Sequence, residues 1–151
     1  MIIKQINFKT VLPVWENILW PNRNDPIKPT NNICYLGGRD RHINDQTPVF
    51  YAVYDDDTIV GVNSGFPTLH GGFRSRGIWV DPAYRKKGVG ALLLNAVIDY
   101  ARENGYSYVW SMPRQSALSA YISVGFKQTS DFFDEGVEFG PNCFVRINLI
   151  D

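Results

Sequence analysis

The run Ile78-Trp79-Val80-Asp81-Pro82-Ala83-Tyr84-Arg85-Lys86-Lys87-Gly88-Val89-Gly90-Ala91 decides how this 151-residue chain folds. Its β-favouring start must stop at Asp81-Pro82, because proline donates nothing to a ladder and restricts its predecessor. Beyond it, Leu94, Val97, Ile98 and Ala101 recur at i, i+3, i+4 and i+7, with Gly105 placed to end a helix. The order is strand, loop, helix. Gly88 and Gly90 lack the Cβ atoms that would keep an anion off the backbone, and the first amides of a helix have no acceptor within it. A hydrogen bond to a charged group is worth ~1.5–3 kcal/mol, against ~0.3–1 kcal/mol for an exposed helix dipole, so the amides dominate such a site. Arg85, Lys86 and Lys87 add charge suited to a pyrophosphate or ribose phosphate, each modest when screened by water. Taken alone, a Gly-x-Gly before a helix also suits a turn with a solvated basic face. The segment matches neither GxxxxGK[ST] nor GxGxxG, which argues against nucleotide hydrolysis and hydride transfer.

Working outward, residues 49–54 and 58–66 are β-rich runs separated by Asp55, Asp56 and Asp57, which tolerate turn geometry and predict a hairpin. Strand character is expected at 77–80, 106–112, 126–130 and 143–150. Helices are expected at 8–20, 89–104 and from about Ser116, where Ala117, Ala120, Tyr121 and Val124 repeat the helical spacing before Gly125. Pro13 is tolerable only in the first turn of its helix. Residues 21–48, rich in Pro, Asn, Asp and Gly, predict a long loop. Helix, three strands, helix, strand, helix and two strands imply a mixed sheet with helices on its faces, α+β or α/β in class, in a single domain over 1–151.

Composition bounds the function. Basic and acidic residues balance at 15 each, so bulk charge favours neither nucleic acid nor membrane. A chain of this length buries roughly 70% of its unfolded surface and needs no staple. Cys34 and Cys143 lack the spacing of a zinc site or a disulfide framework, so reduced, buried thiols and no metal are expected. The first ten residues lack the pattern of a signal peptide, and no apolar run approaches the ~18 residues of a membrane span, from which a cytoplasmic protein is expected.

The segment from Ile78 to Leu93 resembles the V-x-P-x-Y-R-x-x-G-x-G/A motif of GNAT N-acyltransferases. Downstream, Ala117 to Phe126 is similar to that family's A-x-x-x-Y-x-x-x-G-F segment. The resemblance covers about residues 49–150. It implies a mostly antiparallel central sheet flanked by helices, with splayed parallel strands at the cofactor site. It further implies that acetyl-coenzyme A binds with its pantetheine arm along the backbone of Ile78, Trp79 and Val80 and its pyrophosphate against Arg85, Lys86, Lys87, Gly88, Val89, Gly90 and Ala91. The acetyl group would pass to a primary amine of a small molecule or protein by direct attack, in a chain compatible with a homodimer. Tyr121 is the implied acid for the departing thiolate, although a helical tyrosine also suits a core.

Two positions depart from the family. Arg114 stands where many members have asparagine, and Arg74 stands where those with a strand-borne base have glutamate. His70, Asp81, Glu135 and Glu138 then remain as bases by chemistry alone, alongside a water chain. Trp15, Trp20, Arg39, Arg41, His42 and His70 have the chemistry to line an acceptor pocket, and none is assigned. The acidic group Asp131, Asp134, Glu135 and Glu138 reads as a loop over Phe132, Phe133 and Phe139, or as an attractor for a cationic amine. The missing glutamate also leaves open a non-catalytic acyl-coenzyme A sensor.

Overall fold

The computed structural model describes residues 1–40, 47–137 and 139–150. Seven strands form one sheet in the order β1-β2-β3-β4-β5-β7-β6. They are β1 (Ile2–Ile6), β2 (Val49–Asp55), β3 (Thr58–Pro67), β4 (Gly72–Val80), β5 (Tyr108–Ser111), β6 (Lys127–Gln128) and β7 (Val145–Asn148), with helices α1 (Phe8–Val14), α2 (Val89–Glu103) and α3 (Gln115–Ser123). Every neighbouring pair is antiparallel except β4–β5, so the mixed, mostly antiparallel sheet is as expected.

The β2–β3 hairpin turns at Asp56, whose φ of 52° is one that aspartate tolerates. Helix α2 buries Val89, Leu93, Leu94, Val97, Ile98 and Ala101 against β3, β4 and β2. It can lie this close because β3 presents Gly61, where an added Cβ would come within 2.7 Å of Val89. On the opposite face, Val11 of α1 and Trp15 just beyond it pack onto Phe50, Ala52 and Val62 of β2 and β3.

Four expectations change. Strand β1, absent from the sequence reading, pairs along the edge with β2. Only Ile3 and Ile6 of its five residues are even half-buried, so it carries no alternating signal. Pro13 lies inside α1 rather than in its first turn. Lacking an N–H for the carbonyl four residues back, it is followed by a π-helical turn over Trp15–Leu19, closed by the Trp20 amide on the Trp15 carbonyl at 2.8 Å. The last two strands are shorter than expected, β6 having two residues.

Strand β4 starts at Gly72, five residues earlier than its sequence suggested, and carries a bulge that shapes everything beside it. Val62 faces Trp79 and Ser64 faces Arg76, so Gly77 and Ile78 together oppose Asn63. Gly77 takes φ of 78°, and its carbonyl accepts the Trp15 indole N–H at 2.9 Å. A Cβ there would fall 2.5 Å from the Trp15 ring. Gly105, at φ of 82°, has nothing within 4 Å of a Cβ. Gly105→Ala should therefore cost only the left-handed strain of ~1–2 kcal/mol, while Gly77→Ala adds displacement of Trp15 and costs at least ~1 kcal/mol more. Urea unfolding of the two variants in parallel measures the difference; equal losses would show that the Trp15 contact is not restrictive.

Candidate active site

Strands β4 and β5 pair only where Gly72–Arg74 run beside Tyr108–Trp110. Beyond Arg74 they part, leaving the β5-facing edge of β4 without ladder partners from β5. A cavity of about 1120 Å³ fills the gap and is lined from both faces of the sheet. On the helical face it meets Ile78, Val80, Arg85, Lys86, Gly88, Gly90, Ala91 and Tyr121, and on the other Trp20, Asn31, Arg39, Arg74, Arg76 and Trp79. Its volume exceeds the ~300–1,000 Å³ usual for one small ligand.

Tyr121 occupies the crotch. Helix α3 aims its ring inward against Phe126, and its hydroxyl lies 3.0 Å from both Ser75 Oγ on β4 and Ser111 Oγ on β5. Ser111 Oγ also donates to the Ser75 carbonyl at 2.6 Å, which spans the strands where backbone pairing has stopped. Asn63, at the bulge, donates from Nδ2 to Ser75 Oγ at 3.0 Å. Each hydroxyl has one proton. The Ser111 proton has the Ser75 carbonyl and the Tyr121 oxygen to choose between, and the Ser75 proton has Asn63 Oδ1 and the Tyr121 oxygen. Burial pushes the Tyr121 phenol up, outweighing the hydrogen bonds from Ser111 and Ser75 and the charge of Arg74, so it stays protonated at neutral pH.

The loop before α2 has the conformation of an anion cradle. Lys86 at φ of 62° and Gly88 at φ of 83° are left-handed, which turns neighbouring amides toward one side at the helix N-terminus. A Cβ at Gly88 meets nothing within 4 Å, and one at Gly90 meets only Ala120 at 3.7 Å and Val80 at 3.9 Å. The protein itself therefore leaves room at both glycines, and a ligand against the backbone would not. Two of the expected residues lie off the lining. The Val89 side chain is buried in the core beneath α2, and Lys87 Nζ sits 5.4 Å above the Tyr84 ring. Arg114 is the N-cap residue of α3 and does line the cavity.

None of the described bases suggested by chemistry reaches this space. His70 sits in a tight turn over Leu69–Gly71, Asp81 Oδ1 accepts the Ala83 amide at 2.9 Å, and Glu135 is off the lining. Asp131 and Asp134 are off it too, while Arg41, His42 and Glu138 lie outside the described residues. Trp20 and Arg39 do line the cavity, and Trp15 is buried behind it. Cys143 is buried and Cys34 half-buried; both are free and neither touches the cavity. No group of three or more metal-ligating side chains occurs among the described residues, and no described helix is long and apolar enough to cross a membrane.

Five contributors escaped the sequence reading as site residues: Asn63, Ser75 and Ser111, and the arginines 74 and 76. Both arginines are buried, 7% and 3% exposed, on the face of β4 away from α2. Arg74 stacks on Phe66 and Trp110 and donates to Asn31 Oδ1 at 2.6 Å. Arg76 lies between the rings of Trp15 and Trp20, at 5.1 and 5.0 Å, and donates to the Lys28 carbonyl at 2.8 Å. Burial lowers Arg74 to about 10, while burial together with the charges of Arg74 and Arg23 lowers Arg76 to about 9. A base held below its ordinary value in the fold binds fewer protons than in the unfolded chain above pH ~9, so Arg76 adds stability as pH rises there. The unfolding free energy of the wild type should therefore gain on that of Arg76→Gln between pH 8 and 10, read by urea melts at stepped pH; a constant difference would argue against a strained charge.

A family profile described as "Acetyltransferase (GNAT) family" matches residues 12–126. Human N-acetyltransferase 8 is 26% identical over 100 residues, which are 61% of this chain and 44% of that protein. The chain thus spans less than half the length of this curated relative. An aminoglycoside 6'-N-acetyltransferase complexed with coenzyme A superposes with a TM-score of 0.72 at 15% identity, over 100% of this chain and 98% of that one. A Salmonella typhimurium chain described as an acetyltransferase, solved with its cofactor acetyl-CoA, gives 0.57 at 23% identity, over 69% of this chain and 66% of that one. At these identities the superpositions speak for the fold, and the profile match over most of the chain decides the rest: this protein belongs to the acetyltransferase (GNAT) family.

Proposed function

We propose that this chain transfers an acetyl group from acetyl-coenzyme A to a primary amine, by direct attack within a ternary complex. The observation that carries the reading is the parted β4–β5 pair, with an anion cradle at one end of its cavity and the Tyr121 hydroxyl in its crotch. The unpaired edge at Ile78, Trp79 and Val80 offers backbone groups to the amides of a pantetheine arm, in the manner of an added strand. Arg85 and Lys86 and the amides of residues 88–91 suit the pyrophosphate, with Lys87 and Val89 contributing through the backbone. Both solved relatives bound to coenzyme A or acetyl-CoA share the fold.

The reaction breaks the C–S bond and forms a C–N bond, while the ammonium nitrogen gives up two protons, one to water before attack and one, in net, to the departing thiolate. A phenol ordinarily ionises near ~10 and a thiol near ~8.5, so full proton transfer from Tyr121 is uphill by ~2 kcal/mol before its upward shift is counted. Tyr121 therefore works first as a hydrogen-bond donor to the sulfur as charge develops there, fixed by Ser75 and Ser111. Among the described residues the one carboxylate on the cavity lining is that of Asp25, an exposed loop residue. The buried charges of Arg74 and Arg76 disfavour a second cation beside them and so lower the amine's affinity for its proton, which water can carry off. Cys34 and Cys143, both off the cavity, offer no covalent route.

Gly90→Val should weaken coenzyme A binding at least tenfold by calorimetry while shifting the melting temperature by no more than ~2 °C, since the protein leaves space for the side chain. Undiminished binding would remove the cradle from the site. Tyr121→Phe should keep coenzyme A binding within about threefold and lower kcat at least tenfold, about 1.4 kcal/mol of transition-state stabilisation. Full turnover in that variant would exclude the phenol from the chemistry. Arg74 in place of a strand-borne carboxylate also suits a non-catalytic acyl-coenzyme A sensor, which predicts tight binding of acetyl-coenzyme A and no amine-dependent release of coenzyme A.

A further inference from the structure

From the buried arginine pair we infer that the acceptor amine carries a carboxylate close to its amino group, as an α-amino acid does, and that Arg74 and Arg76 hold that carboxylate. The inference rests on the transfer reading above and specifies its second substrate.

The case begins with an uncompensated charge. Arg74 and Arg76 are each more than nine-tenths buried, yet neither has a carboxylate partner among the described residues, where Arg102 and Asp99 pair on the surface. Desolvating an ion costs several kcal/mol even after relaxation. Stacking on aromatic faces returns ~0.5–2 kcal/mol and a hydrogen bond to a charged group ~1.5–3 kcal/mol. Those terms offset part of the cost and leave donors over. A guanidinium has five N–H bonds; among the described residues Arg74 spends one on Asn31, and its buried Nε has no hydrogen-bond partner there. Arg76 similarly spends one on the Lys28 carbonyl. A structural arginine would be expected to have its fork filled by protein; both of these line the cavity.

Position selects the ligand. The pair lies on the sheet face opposite α2 and α3, so it faces the half of the cavity away from the Gly88–Gly90 cradle and is not needed for the cofactor's phosphates. Among the described residues, Arg39 and Arg23 line the same half, against one acidic side chain, Asp25. A polycationic acceptor is therefore repelled, and an anionic group is drawn in. Arg74 and Arg76 flank Ser75, whose Oγ touches the Tyr121 hydroxyl at the reacting centre. Their side chains leave the strand on the face opposite Ser75, yet the Arg74 charge acts on the Tyr121 phenol, which places an anion held by the pair within reach of the attacked thioester. That placement fits a carboxylate next to the amine better than one at the end of a long chain. A planar carboxylate also matches the guanidinium fork, which a single ammonium cannot.

The test compares each of a panel of free α-amino acids with its α-amide, and adds an aminoglycoside as a polycation, all read as acetyl-coenzyme A-dependent release of coenzyme A. Expected are reactions with acids that exceed those with the matching amides at least tenfold in kcat/KM, and no reaction with the polycation. Arg74→Gln and Arg76→Gln should abolish the preference through KM for the acid, leave coenzyme A affinity unchanged, and be partly rescued by Arg76→Lys. Amides that react as well as acids, or a preference that survives both variants, would overturn the carboxylate site while leaving acetyl transfer standing. Should no amine turn over, N-acetylated amino acids and their amides are titrated into the coenzyme A complex by calorimetry. Acid-only binding that is lost in Arg76→Gln then supports the site, and absent or equal binding overturns it.

Discussion

Everything at the centre of this protein follows from two strands being held apart. A parallel pair would ordinarily run on as a ladder, and here β4 and β5 separate after three residues. The separation is enforced from both sides. Behind β4, the bulge at Gly77 and Ile78 redirects the strand, and the Trp15 indole fastens it by one hydrogen bond to the Gly77 carbonyl. In front, the Tyr121 hydroxyl and the Ser111 side chain bridge the opening with polar contacts that a ladder would have made with backbone. The same parting leaves backbone groups on β4 available to a ligand, so the distortion of the sheet and the capacity of the site have one origin.

Charge is distributed around that opening with a clear asymmetry. At the cradle end, cations are exposed or half-buried and surround backbone amides, an arrangement that costs the fold little beyond the strained backbone of Lys86. At the other end, cations are buried between aromatic rings and depressed in basicity. A surface arginine can be explained by solubility, but a desolvated one without an acidic partner stands against the free energy of folding. Proteins sit near a stability threshold, and interactions that oppose stability are commonly found where binding requires them.

Much of this was legible in the residues alone. The i, i+3, i+4 pattern of α2 and its termination at Gly105 were readable because long amphipathic helices carry their signal locally. The cradle was readable because glycine beside a helix start has few other purposes once a strand precedes it. Strand β1 was not, since an edge strand with five mostly exposed residues has no alternation to find. Ser75 and Ser111 were equally silent, being 36 residues apart and joined only by strand pairing and by Tyr121. Arg74 was noticed for what it replaced, and its burial among Phe66, Trp110 and Asn31 depends on contacts with β3, β5 and the long loop, which no local pattern encodes.

The cavity is lined from both faces of the sheet, and this bears on traffic as well as on chemistry. A blind pocket imposes a queue, because whatever enters last must leave first. A passage that pierces the sheet has two approaches, one past the basic loop and one past the aromatic and arginine-rich face. Molecules seated at its two ends would then have separate routes, one past Arg85 and Lys86 and one past Trp20 and Arg39.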